Sequence, residues 1–145
     1  MMVRERPLTV GRVLRQIPFL AVVVIAYMAV VLIDGTSLPA VLFDLTLPSG
    51  GAWSFTLGDL LLFFGLILLF AEIVKATRTS RVSIADHAMS LVVFVVCLLC
   101  FLLVPIASTS VFFLIMWMTF IDVIAGFTVS LAGARRDIGL TPEQL

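Results

Sequence analysis

Four long apolar runs dominate the chain and decide what it can fold into. They cover residues 17–33, 57–76, 84–104 and 110–134 of the 145. About 20 apolar helical residues span a hydrocarbon core of roughly 30 Å, and helices satisfy every backbone polar group inside lipid. The runs lack the alternation of transmembrane β-strands, and 62% of all residues are hydrophobic against 12% charged. We therefore predict an all-α membrane protein, a single membrane domain with four transmembrane helices.

Basic residues flank these runs on one side only. Segments 34–56 and 105–109 contain no Lys or Arg. Because Lys and Arg are retained on the cytoplasmic side, both termini, the loop between helices 2 and 3 and the tail 135–145 are expected in the cytoplasm of a bacterial cell. The protein would then lie in the inner (plasma) membrane. Six arginines are expected to contact lipid headgroups, and each would contribute about 1 kcal/mol to the attraction to anionic lipid. They are Arg12, Arg15, Arg78, Arg81, Arg135 and Arg136.

The segment before the first run has helical periodicity. Val10, Val13, Leu14 and Ile17 recur at i, i+3, i+4 and i+7, which predicts an interfacial helix over about residues 9–16. The first run is longer than the apolar core of a typical signal peptide, so we expect it to be kept as an anchor.

The external loop 34–56 carries the pattern of a β-hairpin. Apolar residues alternate with polar ones on both sides of the turn sequence "PSGG", which predicts two strands with one apolar face. An isolated hairpin is marginal in water. Its face is therefore expected to rest on the outer ends of the helices, on the lipid interface or on a partner protein.

Two acids lie inside the apolar runs. Asp122 lies thirteen residues, about 20 Å, before Arg135 and hence near the predicted midplane, where an acid should face the helix bundle. We expect Tyr27, the only tyrosine, as its partner, because both lie at a similar predicted depth. Glu72 is the second acid, three residues from Lys75 on one helix face.

A further polar cluster is expected at the cytoplasmic interface, from Lys75, Asp86 and His87. A metal site usually needs three or four ligands, and "CLLC" lies mid-helix without a second cysteine pair or a route for thiolates. We predict no metal, no cofactor and no nucleic-acid partner.

The strings "GDLLLFFGLILLFAEIVKATRTSR", "SIADH" and "FIDVIAGF" resemble small four-helix inner-membrane proteins of Gram-negative bacteria. The resemblance covers most of the chain and implies the same fold. It implies no activity, cofactor or site residue.

Three functions remain open on these residues. The leading hypothesis is a non-enzymatic accessory, assembly or scaffold subunit of a membrane complex, with the lipid bilayer and a membrane-protein partner or further copies of the chain around it. The second is a small oligomeric proton- or cation-coupled transporter or channel using Asp122 and Glu72. The third is an enzyme or a quinone- or lipid-binding module using Glu72, Asp86 and His87.

Overall fold

The computed structural model describes residues 18–78 and 84–138. Within them the chain forms four helices and one antiparallel hairpin, so the predicted helical fold with a small hairpin is confirmed. In chain order the elements are α1 (Leu20–Ile33), β1 (Val41–Thr46), β2 (Ala52–Thr56), α2 (Leu57–Arg78), α3 (Ile84–Leu103), a 3-10 turn (Pro105–Ala107) and α4 (Ser110–Ile138). The predicted interfacial helix over residues 9–16 lies outside the described residues.

Two of these helices are long and apolar enough to cross a membrane, as judged by length and composition. Their apolar stretches are Leu57–Thr77 in α2 and Ser110–Val129 in α4. The apolar parts of the other two are shorter, Leu20–Ile33 and Ala88–Leu103. Helix α4 has 29 residues, about 43 Å at 1.5 Å per residue, and therefore exceeds a hydrocarbon core.

The hairpin forms where the alternation predicts it. Phe43 pairs with Phe55 and Leu45 with Trp53, and a register shift separates Val41 from Phe43. At the turn, the Leu47 N–H donates to the Gly51 carbonyl at 2.8 Å. Gly50 has φ of 82°, a left-handed conformation that glycine adopts without steric cost. We call the end of the molecule that carries this hairpin the hairpin end.

Helix α4 is the centre of the packing and contacts the other three helices. Its approach to α2 is close because α2 places glycines on the shared face. A Cβ built on Gly58 would lie 2.9 Å from Val111 Cγ2, and one on Gly65 would lie 2.9 Å from Met118 Sδ. Small residues at such positions allow helix backbones to approach, as is typical of packing in membranes.

Helix α3 packs mainly against α4, in antiparallel orientation. Ring pairs mark the contact: Phe94 lies 5.2 Å from Phe120, and Phe101 lies 5.5 Å from Phe113, between centroids. Cys97 is fully buried beside Thr119. Cys97 and Cys100 are free thiols, and Cys97 packs as a small apolar residue.

The apolar face of the hairpin is not covered by the helices. Phe43 and Leu45 are each 51% exposed and Trp53 is 44% exposed. From the sequence, this face is expected to rest on the helix ends, on lipid or on a partner protein. In the described part of the chain, the helix ends do not cover it. The Phe43 ring still stacks on Phe55 at 4.9 Å and meets Trp53 edge-on at 6.0 Å, so the strands are held by their own aromatic side chains.

Candidate functional site

Glu72 is a buried carboxylate that joins the start of α1 to α2. It is 8% exposed. Its Oε2 accepts a hydrogen bond from the Phe19 N–H at 2.6 Å, and its Oε1 accepts one from Lys75 Nζ at 3.1 Å. The predicted Glu72–Lys75 pair is confirmed. The first turn of a helix leaves backbone N–H groups unpaired, so Glu72 satisfies a donor at the entry to α1.

Lys75 completes this contact on the other side of Phe19. Its ammonium lies 4.8 Å from the centre of the Phe19 ring, within the range of cation–π attraction. Backbone and side chain of Phe19 are thus both held by α2. The start of α1 therefore lies beside the end of α2 that carries Glu72 and Lys75.

Asp122 is buried at the meeting of three helices. It is 6% exposed, and Ser90 of α3 is 8% exposed. Ser90 of α3 and Glu72 and Lys75 of α2 lie on the side of Asp122 that faces the other helices, close enough for their polar groups to influence its carboxyl. We call Glu72, Lys75, Ser90 and Asp122 the carboxylate cluster.

The predicted contact between Tyr27 and Asp122 is wrong. The Tyr27 hydroxyl shares a 2.6 Å hydrogen bond with Thr109 Oγ1 and donates a 3.1 Å bond to the Ile106 carbonyl. Its ring lies 4.9 Å from that of Phe112, ten residues before Asp122 and hence about 15 Å nearer the hairpin end. Tyr27 therefore ties α1 to the start of α4, outside the carboxylate cluster.

The reason is the reference point used for depth. The predicted depth of Tyr27 is twelve residues, about 18 Å, from Arg15, and that of Asp122 is thirteen residues from Arg135. In the structure it is Phe19 that lies beside Glu72, and α4 continues past Arg135 to Ile138. Counted from Val129, where the apolar stretch of α4 ends, Asp122 is only about 10 Å inside. It lies about 4 Å from the centre of the stretch, displaced toward that end.

Ser90 is missed from sequence, whereas the segment "STS" offers Thr109 as one of three candidate caps of helix 4, and Thr119 is a lesser candidate partner of Asp122. Ser90 is the only serine in the apolar part of α3, a signal that could have identified it. Thr109 also accepts a hydrogen bond from the Phe112 N–H at 3.1 Å and acts as the cap of α4, a role that the segment "STS" suggests. Thr119 donates to the Met116 carbonyl at 2.7 Å on its own helix, so its polarity is satisfied locally.

Several predicted site residues stay predictions. Arg12, Arg15 and Arg81 lie outside the described residues, and the side chains of Arg78, Arg135 and Arg136 are likewise not described. The same holds for Asp86 and His87, so the predicted cluster of Lys75, Asp86 and His87 is seen only at Lys75. Among the described residues no group of three or more His, Cys, Asp or Glu is placed to hold a metal ion.

The carboxylate cluster can do two things chemically. Glu72 accepts hydrogen bonds from the Phe19 N–H and from Lys75, and the buried Asp122 and Ser90 extend the polar group to α4 and α3, so the cluster can act as a polar tie between the helices. Two neighbouring carboxyl groups also exchange protons or bind small cations when water reaches them.

No protein-family model, curated protein or solved structure matches the chain.

Proposed function

We propose that the chain is a multi-pass inner-membrane protein whose four helices all span the bilayer, with both termini in the cytoplasm. The apolar stretches of α2 and α4 support this directly by their length. Antiparallel α3 and α4 are joined by a short turn, and α1 runs antiparallel to α2, so the shorter helices cross the same layer. The hairpin then lies outside, and the carboxylate cluster lies toward the cytoplasm.

Within that membrane we propose a non-enzymatic accessory or scaffold subunit that docks another membrane protein. The observation that supports it is an exposed row on α4, which we call the α4 stripe: Leu114, Trp117, Ile121, Ile124, Thr128 and Leu131. These residues follow i, i+3, i+7, i+10, i+14 and i+17. Such spacing is that of the a and d positions through which two helices pack in a left-handed coiled coil.

The α4 stripe is open in the isolated chain. Trp117 and Ile121 are each 44% exposed, and Ile124 is 49% exposed. The opposite face of α4 carries Asp122 and is buried against the other helices. Helix α4 thus holds the chain together with one face and offers the other to a partner helix.

The test is co-purification of the partner with variants of the α4 stripe. Ile121→Trp adds bulk at the centre of the stripe, and the partner is expected to be lost. Ile67→Trp is the matched control: the same residue type on α2, 49% exposed and at a similar level, since Gly65 lies beside Met118. Retention of the partner by both variants would contradict docking through the α4 stripe.

A second function is favoured by one observation, the burial of two carboxyl groups, Asp122 on α4 and Glu72 on α2, in the helix bundle. A small oligomeric proton- or cation-coupled transporter would use these two acids as its path. Proteoliposomes would then show ion flux that Asp122→Asn abolishes, because asparagine keeps the shape and cannot titrate. Asp59→Asn, in the first turn of α2, is the control. Equal flux in wild type, Asp122→Asn and protein-free liposomes would exclude this function.

A further inference from the structure

We propose that the aromatic face of the hairpin inserts into the lipid headgroup region of the outer leaflet and anchors the chain there. This inference rests on the membrane placement proposed above and is independent of the partner bound by α4. The aromatic face consists of Phe43, Leu45, Trp53 and Phe55.

The hairpin is rigidly joined to α2. Strand β2 ends at Thr56 and α2 begins at Leu57, with no loop between them. The Leu57 N–H donates to the Ala40 carbonyl at 3.0 Å, and the Gly58 N–H donates to the Leu38 carbonyl at 2.9 Å. The hairpin therefore cannot swing freely, and its aromatic face keeps one orientation relative to the helix.

Asp59 strengthens the joint. Its carboxylate accepts hydrogen bonds from the Thr56 N–H at 2.9 Å and from the Thr56 hydroxyl at 2.7 Å. A carboxylate is also favoured at this end of a helix by the positive end of the helix dipole. The Thr56 hydroxyl in turn accepts a hydrogen bond from the Asp59 N–H at 3.2 Å, so Thr56, the last residue of β2, is also the cap of α2.

This joint places the aromatic face at the level of the headgroups. The apolar stretch of α2 starts at Leu57, where the hydrocarbon core would begin. At about 3.3 Å per strand residue, Phe55 is within about 7 Å of that point and Trp53 within about 13 Å. Tryptophan and other aromatic residues concentrate in this layer, because it accepts both an apolar ring and a polar edge.

The two faces of the hairpin differ in the way an interfacial element requires. The aromatic face carries no charge. Asp44 is the only ionisable residue of the two strands, and on the other face it accepts a hydrogen bond from the Ser54 hydroxyl. Residues 34–56 contain no Lys or Arg with which to bind an acidic protein surface. This face therefore makes its contact by apolar burial, and the lipid interface is the environment at its level.

The exposed apolar surface also continues from the hairpin to the neighbouring helix ends. Leu32 is 72% and Ile33 86% exposed at the end of α1, and Leu60 is 42% exposed in the first turn of α2. If these helix ends meet lipid, the aromatic face beside them meets the same layer. One continuous surface then faces a single environment.

Tryptophan fluorescence tests the inference, because the chain has only two tryptophans. Trp117→Phe leaves Trp53 as the single reporter in protein reconstituted into nanodiscs. We expect phosphatidylcholine brominated near the headgroup to quench Trp53, and aqueous iodide to quench it several-fold less than a control. The control is Ala52→Trp in a Trp53→Phe, Trp117→Phe background, which puts the reporter on the exposed neighbouring position of the other face.

The inference would be overturned if iodide quenched the fluorescence of Trp53 as strongly as that of the control and brominated lipid did not quench it. Shielding from both quenchers would overturn it too, and would indicate that a second copy of the chain covers the face. A separate variant, Trp53→Phe, leaves Trp117 as the reporter of α4. Quenching of Trp117 by deeply brominated lipid, without quenching of Trp53, leaves the membrane placement standing and removes only the hairpin anchor.

Discussion

At the scale of single residues, the polar side chains inside the apolar runs stand out in the sequence, whereas their partners do not. Asp122 and Glu72 are recognised as acids in apolar surroundings, and both are buried. Whether Tyr27 reaches Asp122 depends on where each helix starts and how it is rotated. Thr109 and Asp122 lie thirteen residues apart, or about 20 Å along α4, so the partner of Tyr27 depends on how far α1 is offset along α4, and the sequence does not give that offset.

The bond between Tyr27 and Thr109 predicts a specific energetic coupling. In a double-mutant cycle with Tyr27→Phe and Thr109→Val, we expect an interaction energy of about 0.5–1 kcal/mol, since the bond is lost once either partner is removed. Unfolding in mixed micelles measures it. The cycle with Tyr27→Phe and Asp122→Asn is the control and should be additive within about 0.5 kcal/mol. Coupling in the control and none in the first cycle would restore the Tyr27–Asp122 contact.

Glu72 predicts a loss of stability that depends on its acceptor oxygens. Glu72→Ala removes the acceptor of the Phe19 N–H, and we expect the free energy of unfolding to fall by about 1–3 kcal/mol. Glu72→Gln keeps one acceptor oxygen, so its free energy of unfolding should fall clearly less than that of Glu72→Ala. The same unfolding assay compares the two variants, and equal losses would show that charge, and not the hydrogen bond to Phe19, dominates at this position.

At the scale of elements, the sequence predicts most of the fold. Period-two alternation on both sides of "PSGG" locates β1 and β2, and uninterrupted apolarity locates the helices. The exact ends are less accessible: the first helix begins at Leu20 and not at residue 17, and α4 continues beyond residue 134 to Ile138. The start of α2 at Leu57 is predicted correctly, and Thr56 and Asp59 form the cap of the helix there. The exposed α4 stripe and the glycine contacts of α2 cannot be predicted from the sequence, because both depend on which helix faces pack together.

The contact of α2 with α4 predicts that Gly65 tolerates no side chain with a branched β-carbon. Gly65→Val would press a methyl group against Met118 and Val23, both already within 4 Å of the position of its Cβ. Overpacking of this kind costs about 1–3 kcal/mol, measurable by unfolding in micelles. Gly35→Val is the control, since its Cβ would meet only the Val31 carbonyl at 3.6 Å. Equal stability of both variants would mean that α2 and α4 are farther apart.

At the scale of the whole molecule, the distribution of Lys and Arg predicts the orientation in the membrane. In a background without Cys97 and Cys100, Ser49→Cys at the hairpin turn should react with a membrane-impermeant thiol reagent in intact spheroplasts. Thr77→Cys, exposed near the end of α2, should react only after the membrane is opened. The reverse pattern would place the hairpin in the cytoplasm and contradict the positive-inside assignment.

The central claim is that the chain binds another membrane protein as an accessory subunit, through the α4 stripe. Native mass spectrometry tests this claim most directly. The chain would be extracted in native nanodiscs together with any protein bound to it, and the intact mass of the complex would be measured. We predict a stoichiometric complex with a second membrane protein, lost in Ile121→Trp and kept in Ile67→Trp. A homo-oligomer of this chain alone, the same for both variants, would contradict the accessory role and direct attention to ion flux through Asp122.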